Sequence, residues 1–86
     1  MTPTEERVRR FIFENFLYMR PDYQLGNDEP LLGNGVIDSL GVMELITFVE
    51  ESFGVQVADA DVTEDNFGSV AAIASYVKSK GGVIAA

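Results

Sequence analysis

Hydrophobic residues recur at helical spacing over the first twenty residues of the chain. Thr2 predicts a helix cap, Pro3 suits the first helical position, and Glu5 stands where a capping box needs a carboxylate. Pro21 predicts the end of this helix, because the residue before a proline avoids the helical conformation. The apolar positions between them share one helical face: Val8, Phe11, Ile12, Phe16 and Met19.

The same periodicity predicts a second long helix in the middle of the chain. This helix begins near Asp38 and Ser39 and ends at Gly54, a residue typical of a left-handed helix cap. Phe48 is ambiguous between its inner and outer faces. The positions predicted to be buried are Val42, Leu45, Ile46, Val49 and Phe53.

Two shorter helices are predicted towards the end of the chain. Residues 63–67 indicate a single helical turn that Gly68 stops, and Ser69 is a typical cap for the helix that follows. The inner face of this last helix comprises Val70, Ile73, Ala74 and Val77. Residues 55–57 favour an extended conformation, but the chain offers them no partner strand.

Residues 21–37 are rich in proline, glycine and asparagine, which predicts a long loop. A loop of this length in a small domain is often functional. Its apolar residues would hold it against the core: Leu25, Leu31, Leu32, Val36 and Ile37. We therefore predict an all-α four-helix bundle, with three main helices and one short one, and a long first loop. A single domain would span residues 1–86, folded from about residue 3 to 80, with a flexible tail at 81–86.

Charge narrows the classes of partner. Fourteen acidic residues against six basic ones give a net charge of −8, and a surface of this sign repels nucleic acids and anionic membranes. Residues 21–77 contain no Lys or Arg and eleven Asp or Glu. Such a stretch fits either simple solubility or a docking face for basic partners. No apolar run approaches the roughly 20 residues that span a bilayer, and we expect a monomeric cytoplasmic protein.

The absence of Cys and His limits the chemistry of the chain. Without Cys, the protein has no thiol nucleophile, no disulfide and no thiolate metal ligand. Without His, it lacks the imidazole metal ligand and the commonest general base. We therefore predict neither an enzyme nor a metal site. Any thiol chemistry needs a thiol that is added after synthesis.

Asp59 and Asp61 begin like the loop of an EF-hand calcium site. That loop needs Gly at its sixth position and Glu at its twelfth. This chain has Glu64 and Val70 there, so the essential bidentate ligand is missing. The sequence does not support a calcium module.

The most informative position is Ser39, a hydroxyl where the long loop meets the second helix. The amino end of a helix favours a phosphate, so a phosphodiester on Ser39 would be well placed. The plainer interpretation is that Asp38 and Ser39 only cap the helix.

The surrounding residues carry a family resemblance. Residues 37–40 (Ile-Asp-Ser-Leu), 43–46 (Met-Glu-Leu-Ile) and 49–54 (Val-Glu-Glu-Ser-Phe-Gly) resemble the acyl carrier protein family, as do residues 65–70 and 73–77. The resemblance implies that Ser39 is esterified with 4′-phosphopantetheine from coenzyme A, and that Asp38 caps the helix and is recognised by the modifying transferase. It also implies a carrier that holds acyl or aminoacyl groups as thioesters and shuttles them between biosynthetic enzymes.

The resemblance implies partners as well. These are a phosphopantetheinyl transferase, an acyl- or aminoacyl-activating ligase, and acyltransferases or synthases with basic docking surfaces. Gly41 departs from carriers of fatty-acid synthesis, which usually have an acidic residue there. The arrangement of Gly35, Asp38, Ser39 and Gly41 is more similar to D-alanyl carriers and to discrete aminoacyl or specialised acyl carriers. A specialised pathway is therefore expected.

Two residue sets follow from the second helix. Partners of the resembled family offer Arg or Lys to this helix, which favours acidic residues on its outward face. That face predicts partner binding by Leu40, Met43, Glu44, Thr47, Glu50 and Glu51. Cargo between the second and third helices would be lined by Leu45, Ile46, Val49 and Phe67. The alternative from another class is an unmodified acidic helical interaction module, in which Ser39→Ala would be silent.

Overall fold

A computed structural model describes residues 2–83 of the chain. Four α-helices are present: α1 (Pro3–Asn15), α2 (Ser39–Phe53), α3 (Glu64–Phe67) and α4 (Val70–Ser79), with a 3-10 turn at Asp59–Asp61 before α3. No strand occurs within residues 2–83, so the prediction of an all-α fold with one short helix is confirmed. The predicted flexible tail lies partly outside the described residues, since 84–86 are not among them.

The amino end of α1 is closed by the predicted capping box. The Glu5 backbone N–H donates to Thr2 Oγ1 at 3.1 Å, and the Thr2 backbone N–H donates to Glu5 Oε1 at 2.9 Å. The hydrogen bond from the Thr2 N–H lowers the pKa of the Glu5 carboxyl.

The prediction that α1 runs to residue 20 is wrong, because the helix ends at Asn15. The Asn15 side-chain amide donates to Phe11 O at 2.9 Å, and the Leu17 N–H reaches back to Ile12 O at 3.1 Å. This turn buries Leu17 in the core and leaves Met19 80% exposed. Met19 therefore does not continue the buried face of α1.

The core lies where the inner faces of α1, α2 and α4 meet. Phe48, ambiguous in the sequence, points inward and stacks on Phe11 with ring centroids 4.1 Å apart. Phe67 of α3 closes one end and packs against Tyr76. Fully buried side chains include Val8, Ile12, Leu45, Val49, Phe53, Val70, Ile73 and Val77.

The long loop between α1 and α2 is fixed by hydrogen bonds to the second half of the chain. The Leu31 N–H donates to Gly68 O at 2.8 Å, and the Ala71 N–H donates to Asn27 O at 2.9 Å. Leu25, Leu31, Val36 and Ile37 are buried as predicted. Leu32 is 48% exposed, because it points towards the surface beside α2 and α3.

A polar contact ties the segment before α3 to α4. The Tyr76 hydroxyl donates to Asp61 Oδ2 at 2.8 Å, and Lys80 Nζ lies 3.9 Å from the same oxygen. Burial, together with the hydrogen bond to Asp61, raises the pKa of Tyr76 to about 12. The contact holds the 3-10 turn against the bundle. None of the helices in the described part of the chain is long and apolar enough to cross a bilayer.

Candidate functional site

Ser39 is the first residue of α2 and its side chain is exposed. Asp38 is the helix cap, as predicted, and its carboxylate accepts the Gly41 N–H at 2.7 Å. Within residues 2–83, none of the side-chain hydrogen bonds involves Ser39 Oγ. The cap is therefore supplied by Asp38, and the serine hydroxyl is accessible from solvent.

The surroundings of Ser39 suit a phosphodiester. The first N–H groups of a helix lack intrahelical acceptors, and the helix dipole gives this end partial positive charge. An anion attached at Ser39 would therefore be stabilised. The chain provides neither His nor Cys as a base for the hydroxyl. The described residues also contain no cluster of three or more acidic side chains that could hold a metal ion.

The exposed face of α2 begins directly after Ser39. Leu40 is 77% exposed and Met43 is 61% exposed, so two large apolar side chains face solvent within one turn of each other. Glu44, Thr47 and Glu51 continue this face and are also exposed. We call these five residues the α2 face.

Glu50 is placed differently from the other predicted partner residues. Its side chain is half-buried, and its carboxylate accepts the Val57 N–H at 3.0 Å. Glu50 therefore closes the turn that follows α2, and it does not lie on the α2 face.

A groove of about 440 Å³ lies between α1 and α2. Its floor includes the stacked rings of Phe11 and Phe48, and Glu44 and Glu51 stand on its rim. The guanidinium of Arg7 lies 5.3 Å from the centre of the Phe48 ring. An aromatic floor with carboxylates around it is a favourable environment for a cationic side chain.

A larger groove lies on the α1 side of Ser39, which we call the α1-side groove. Its volume is about 730 Å³; one wall includes Phe16, Tyr18 and Met19, and the other includes Asp38, Leu40 and Glu44. Sequence reasoning missed this groove, because it assumed that α1 continued to residue 20. The residue that indicates the earlier end of α1 is Asn15, because asparagine favours helix ends.

A smaller groove of about 240 Å³, the α2–α3 groove, lies on the opposite side of α2. Phe67, Val42, Val62 and Leu32 line it. Phe67 is the one predicted cargo residue among its lining residues. The other three, Leu45, Ile46 and Val49, do not line it, and all four of these side chains are buried.

Gly41 allows the first turn of α2 to approach the end of α1. A Cβ at this position would lie 3.0 Å from Phe16 Cε1 and 3.3 Å from Ile37 Cβ, both tighter than ordinary contact. Gly41 therefore serves internal packing: it lets the first turn of α2 lie against Phe16, which lines one wall of the α1-side groove.

Comparisons with known proteins match the region that contains Ser39. The family described as phosphopantetheine attachment site matches residues 10–77. An acyl carrier protein of Zymomonas mobilis is 35% identical over 77 residues, which is 90% of this chain and 94% of that protein. D-alanyl carrier proteins of Streptococcus pyogenes are 37% identical over 51 residues, which is 59% of this chain and 65% of theirs. These relatives are named as carriers and not as enzymes.

Proposed function

The chain belongs to the phosphopantetheine attachment family, and from this premise we propose that Ser39 carries the 4′-phosphopantetheine group. The single observation that supports Ser39 most is its exposed position at the amino end of α2, where Asp38 and not Ser39 caps the helix. The carrier would hold acyl or aminoacyl groups as thioesters and pass them between enzymes of a specialised pathway.

Attachment is a phosphoryl-group transfer that balances as follows. Ser39 Oγ attacks the β-phosphorus of coenzyme A, and an oxygen–phosphorus bond forms. The pyrophosphate bond of coenzyme A breaks, and adenosine 3′,5′-bisphosphate leaves. The hydroxyl proton passes to a base on the transferase, because this chain contains no His or Cys. Asp38 contributes by fixing the helix end and by presenting a carboxylate that the transferase recognises.

The attached group supplies the thiol that the sequence lacks. Acyl- or aminoacyl-activating ligases would load this thiol, and acyltransferases or synthases would use the cargo. Residues of this chain do not need to act on the cargo, which agrees with relatives that are named as carriers. The chain would work as a monomeric carrier domain in the cytoplasm.

The α2 face is the surface that we assign to these partners. Leu40 and Met43 offer adaptable apolar contact beside Ser39, and Glu44 and Glu51 offer charge to basic side chains. Glu50 contributes to docking only through its overall charge, because its carboxylate is engaged by Val57.

Cargo, when sheltered, would enter the α2–α3 groove beside Phe67 and Val42. A chain long enough to reach Leu45, Ile46 or Val49 would have to separate α2 from α3, because these side chains are buried in the core. A short aminoacyl group would remain outside, because burying a charged amine is costly.

The proposal is tested by intact mass after incubation with coenzyme A, Mg²⁺ and a panel of phosphopantetheinyl transferases. The wild-type chain should gain one phosphopantetheinyl group, and Ser39→Ala should gain none. Ser52→Ala, a matched serine change near the other end of the same helix, should be modified like the wild type.

Other outcomes would contradict the proposal in distinct ways. Modification of Ser39→Ala would show that another serine is the attachment site. No gain in the wild type, with its helical spectrum intact, would favour an acidic interaction module that uses the α2 face unmodified. In that case Ser39→Ala would not affect partner binding.

A further inference from the structure

We propose that the α1-side groove is the resting site of the pantetheine arm attached to Ser39. The inference rests on the proposed function, since it requires the arm to be present. It adds a non-covalent binding site for a flexible diamide chain, formed by the end of α1 and the turn that follows it.

The first argument is position. Asp38 and Leu40, the two neighbours of Ser39 in the chain, both line the α1-side groove. Neither of them lines the α2–α3 groove. An arm that leaves Ser39 therefore starts next to residues of the α1-side groove and not next to residues of the α2–α3 groove.

The second argument is size. The α1-side groove has a volume of about 730 Å³, three times the roughly 240 Å³ of the α2–α3 groove. The larger groove therefore offers an extended arm more contact surface than the smaller one. The smaller groove remains available to the cargo.

The third argument is chemistry. A pantetheine arm alternates apolar groups, such as its geminal dimethyl, with two amides and a hydroxyl. The α1-side groove offers both kinds of group: Phe16 and Met19 are apolar, and Asn15 and Tyr18 present hydrogen-bonding groups. The carboxylate of Glu44 can accept from an amide N–H of the arm. Met19 and Tyr18 are 80% and 65% exposed, so the arm would cover apolar surface that is open to water.

Tethering makes a shallow groove sufficient. A covalently attached ligand has an effective concentration of the order of millimolar, so a groove with a dissociation constant of about 1 mM is occupied roughly half of the time. Leu40 lines the groove and also belongs to the α2 face. A partner that contacts Leu40 would therefore compete with the arm and release its thiol at the moment of docking.

The test uses the absence of cysteine from the chain. In the modified protein, the arm carries a unique thiol, and a maleimide nitroxide will label it alone. Paramagnetic broadening of amide signals then reports where the end of the arm lies. We expect the strongest broadening at Asn15, Tyr18 and Met19. Their amide signals should lose about half or more of their intensity at an occupancy of this order. Val62, Thr63 and Phe67 should be affected less.

A matched pair of variants separates specific contact from mere proximity. Met19→Gln replaces an apolar wall residue of the groove, and Met43→Gln makes the same change on the α2 face, outside the groove. Met19→Gln should reduce the broadening at Asn15 and Tyr18 by at least twofold, whereas Met43→Gln should leave it unchanged. Both residues are exposed, so neither change should unfold the protein.

Two results would overturn the inference. Broadening centred on Val62, Thr63 and Phe67 would place the arm in the α2–α3 groove. Weak broadening spread evenly over the surface, equal in both variants, would show an arm that is free in solvent. Either result leaves the proposed function intact, because labelling succeeds only if the thiol has been attached. Failure of attachment would contradict the proposed function instead.

Discussion

The two ends of α2 differ in almost every physical respect. At the amino end, Ser39 is exposed, and Leu40 and Met43 present apolar side chains to water. At the carboxyl end, Phe53 is buried, Gly54 adopts φ +68° to end the helix, and the Val83 N–H donates to Phe53 O at 3.2 Å. The helix is therefore anchored at one end and accessible at the other.

This difference shows how a very small domain combines stability with accessibility. A bundle of this size has little core, and every exposed apolar side chain weakens the hydrophobic driving force. The carboxyl end of α2 concentrates burial around Phe53, which leaves the amino end free to serve contacts with other molecules. Four sets of substitutions test this difference and the contacts around α2.

The largest effect should come from truncating the anchored end. Phe53→Ala should lower the free energy of unfolding by about 3–5 kcal/mol, because it leaves a cavity among fully buried side chains. Leu40→Ala, at the accessible end, should change it by no more than about 0.5 kcal/mol. Urea titrations of the two variants measure the difference. Equal losses in both would mean that the amino end is also part of the core.

The second effect concerns the junction between α1 and α2. Gly41→Val should cost about 1–3 kcal/mol, because its branched side chain would overlap Phe16 and Ile37. Thr47→Val, on the exposed side of the same helix, is the control and should be nearly neutral. Thermal unfolding of both variants tests this. A gain in stability for Gly41→Val would show that Phe16 moves aside and that helix propensity dominates.

The third effect is a pH dependence at the segment that follows α2. The pKa of Tyr76 rises from 10.0 to about 12 in the folded state, so folding favours the protonated phenol. The associated stability is fully present below pH 10 and is lost as pH rises through about 12. Two pKa units correspond to at most about 3 kcal/mol.

Tyr76→Phe is the variant that isolates this contribution. It should cost about 1–2 kcal/mol at neutral pH through the lost hydrogen bond to Asp61. It should also flatten the decline in the free energy of unfolding between pH 10 and 12. An unchanged slope would mean that another group controls stability in that range.

The smallest effect separates two roles of Asp38. Asp38→Ala should cost about 1 kcal/mol, because the Gly41 N–H loses its acceptor. Asp38→Asn keeps an acceptor oxygen and should retain most of that stability. If Asp38→Asn nevertheless slows modification of Ser39 in the mass assay, the carboxylate charge is recognised by the transferase. Equal modification rates for Asp38→Asn and the wild type would mean that Asp38 only caps the helix.

The sequence predicted the anchored end of α2 well, because its signals are local. Gly54 marks a left-handed cap, and the spacing of Leu45, Val49 and Phe53 matches one face of a helix. The capping box of α1 and the single turn of α3 are confirmed for the same reason. Each depends on residues within one or two turns of each other.

The accessible end was predicted less completely, because it depends on contacts between distant segments. The exposure of Leu40 and Met43 follows from helix geometry, and the structure agrees. The turn after Asn15 and the α1-side groove depend on how α1 meets the loop and α2, which periodicity does not report. The engagement of Glu50 by Val57 likewise depends on the path of the chain after α2.

Leu32 has a consequence for both grooves of this protein. Its side chain lines both grooves, and the adjacent Leu31 is tied through its N–H to Gly68 at the end of α3. An occupant of either groove would therefore contact the same Leu32 side chain, and the two grooves share this part of their walls.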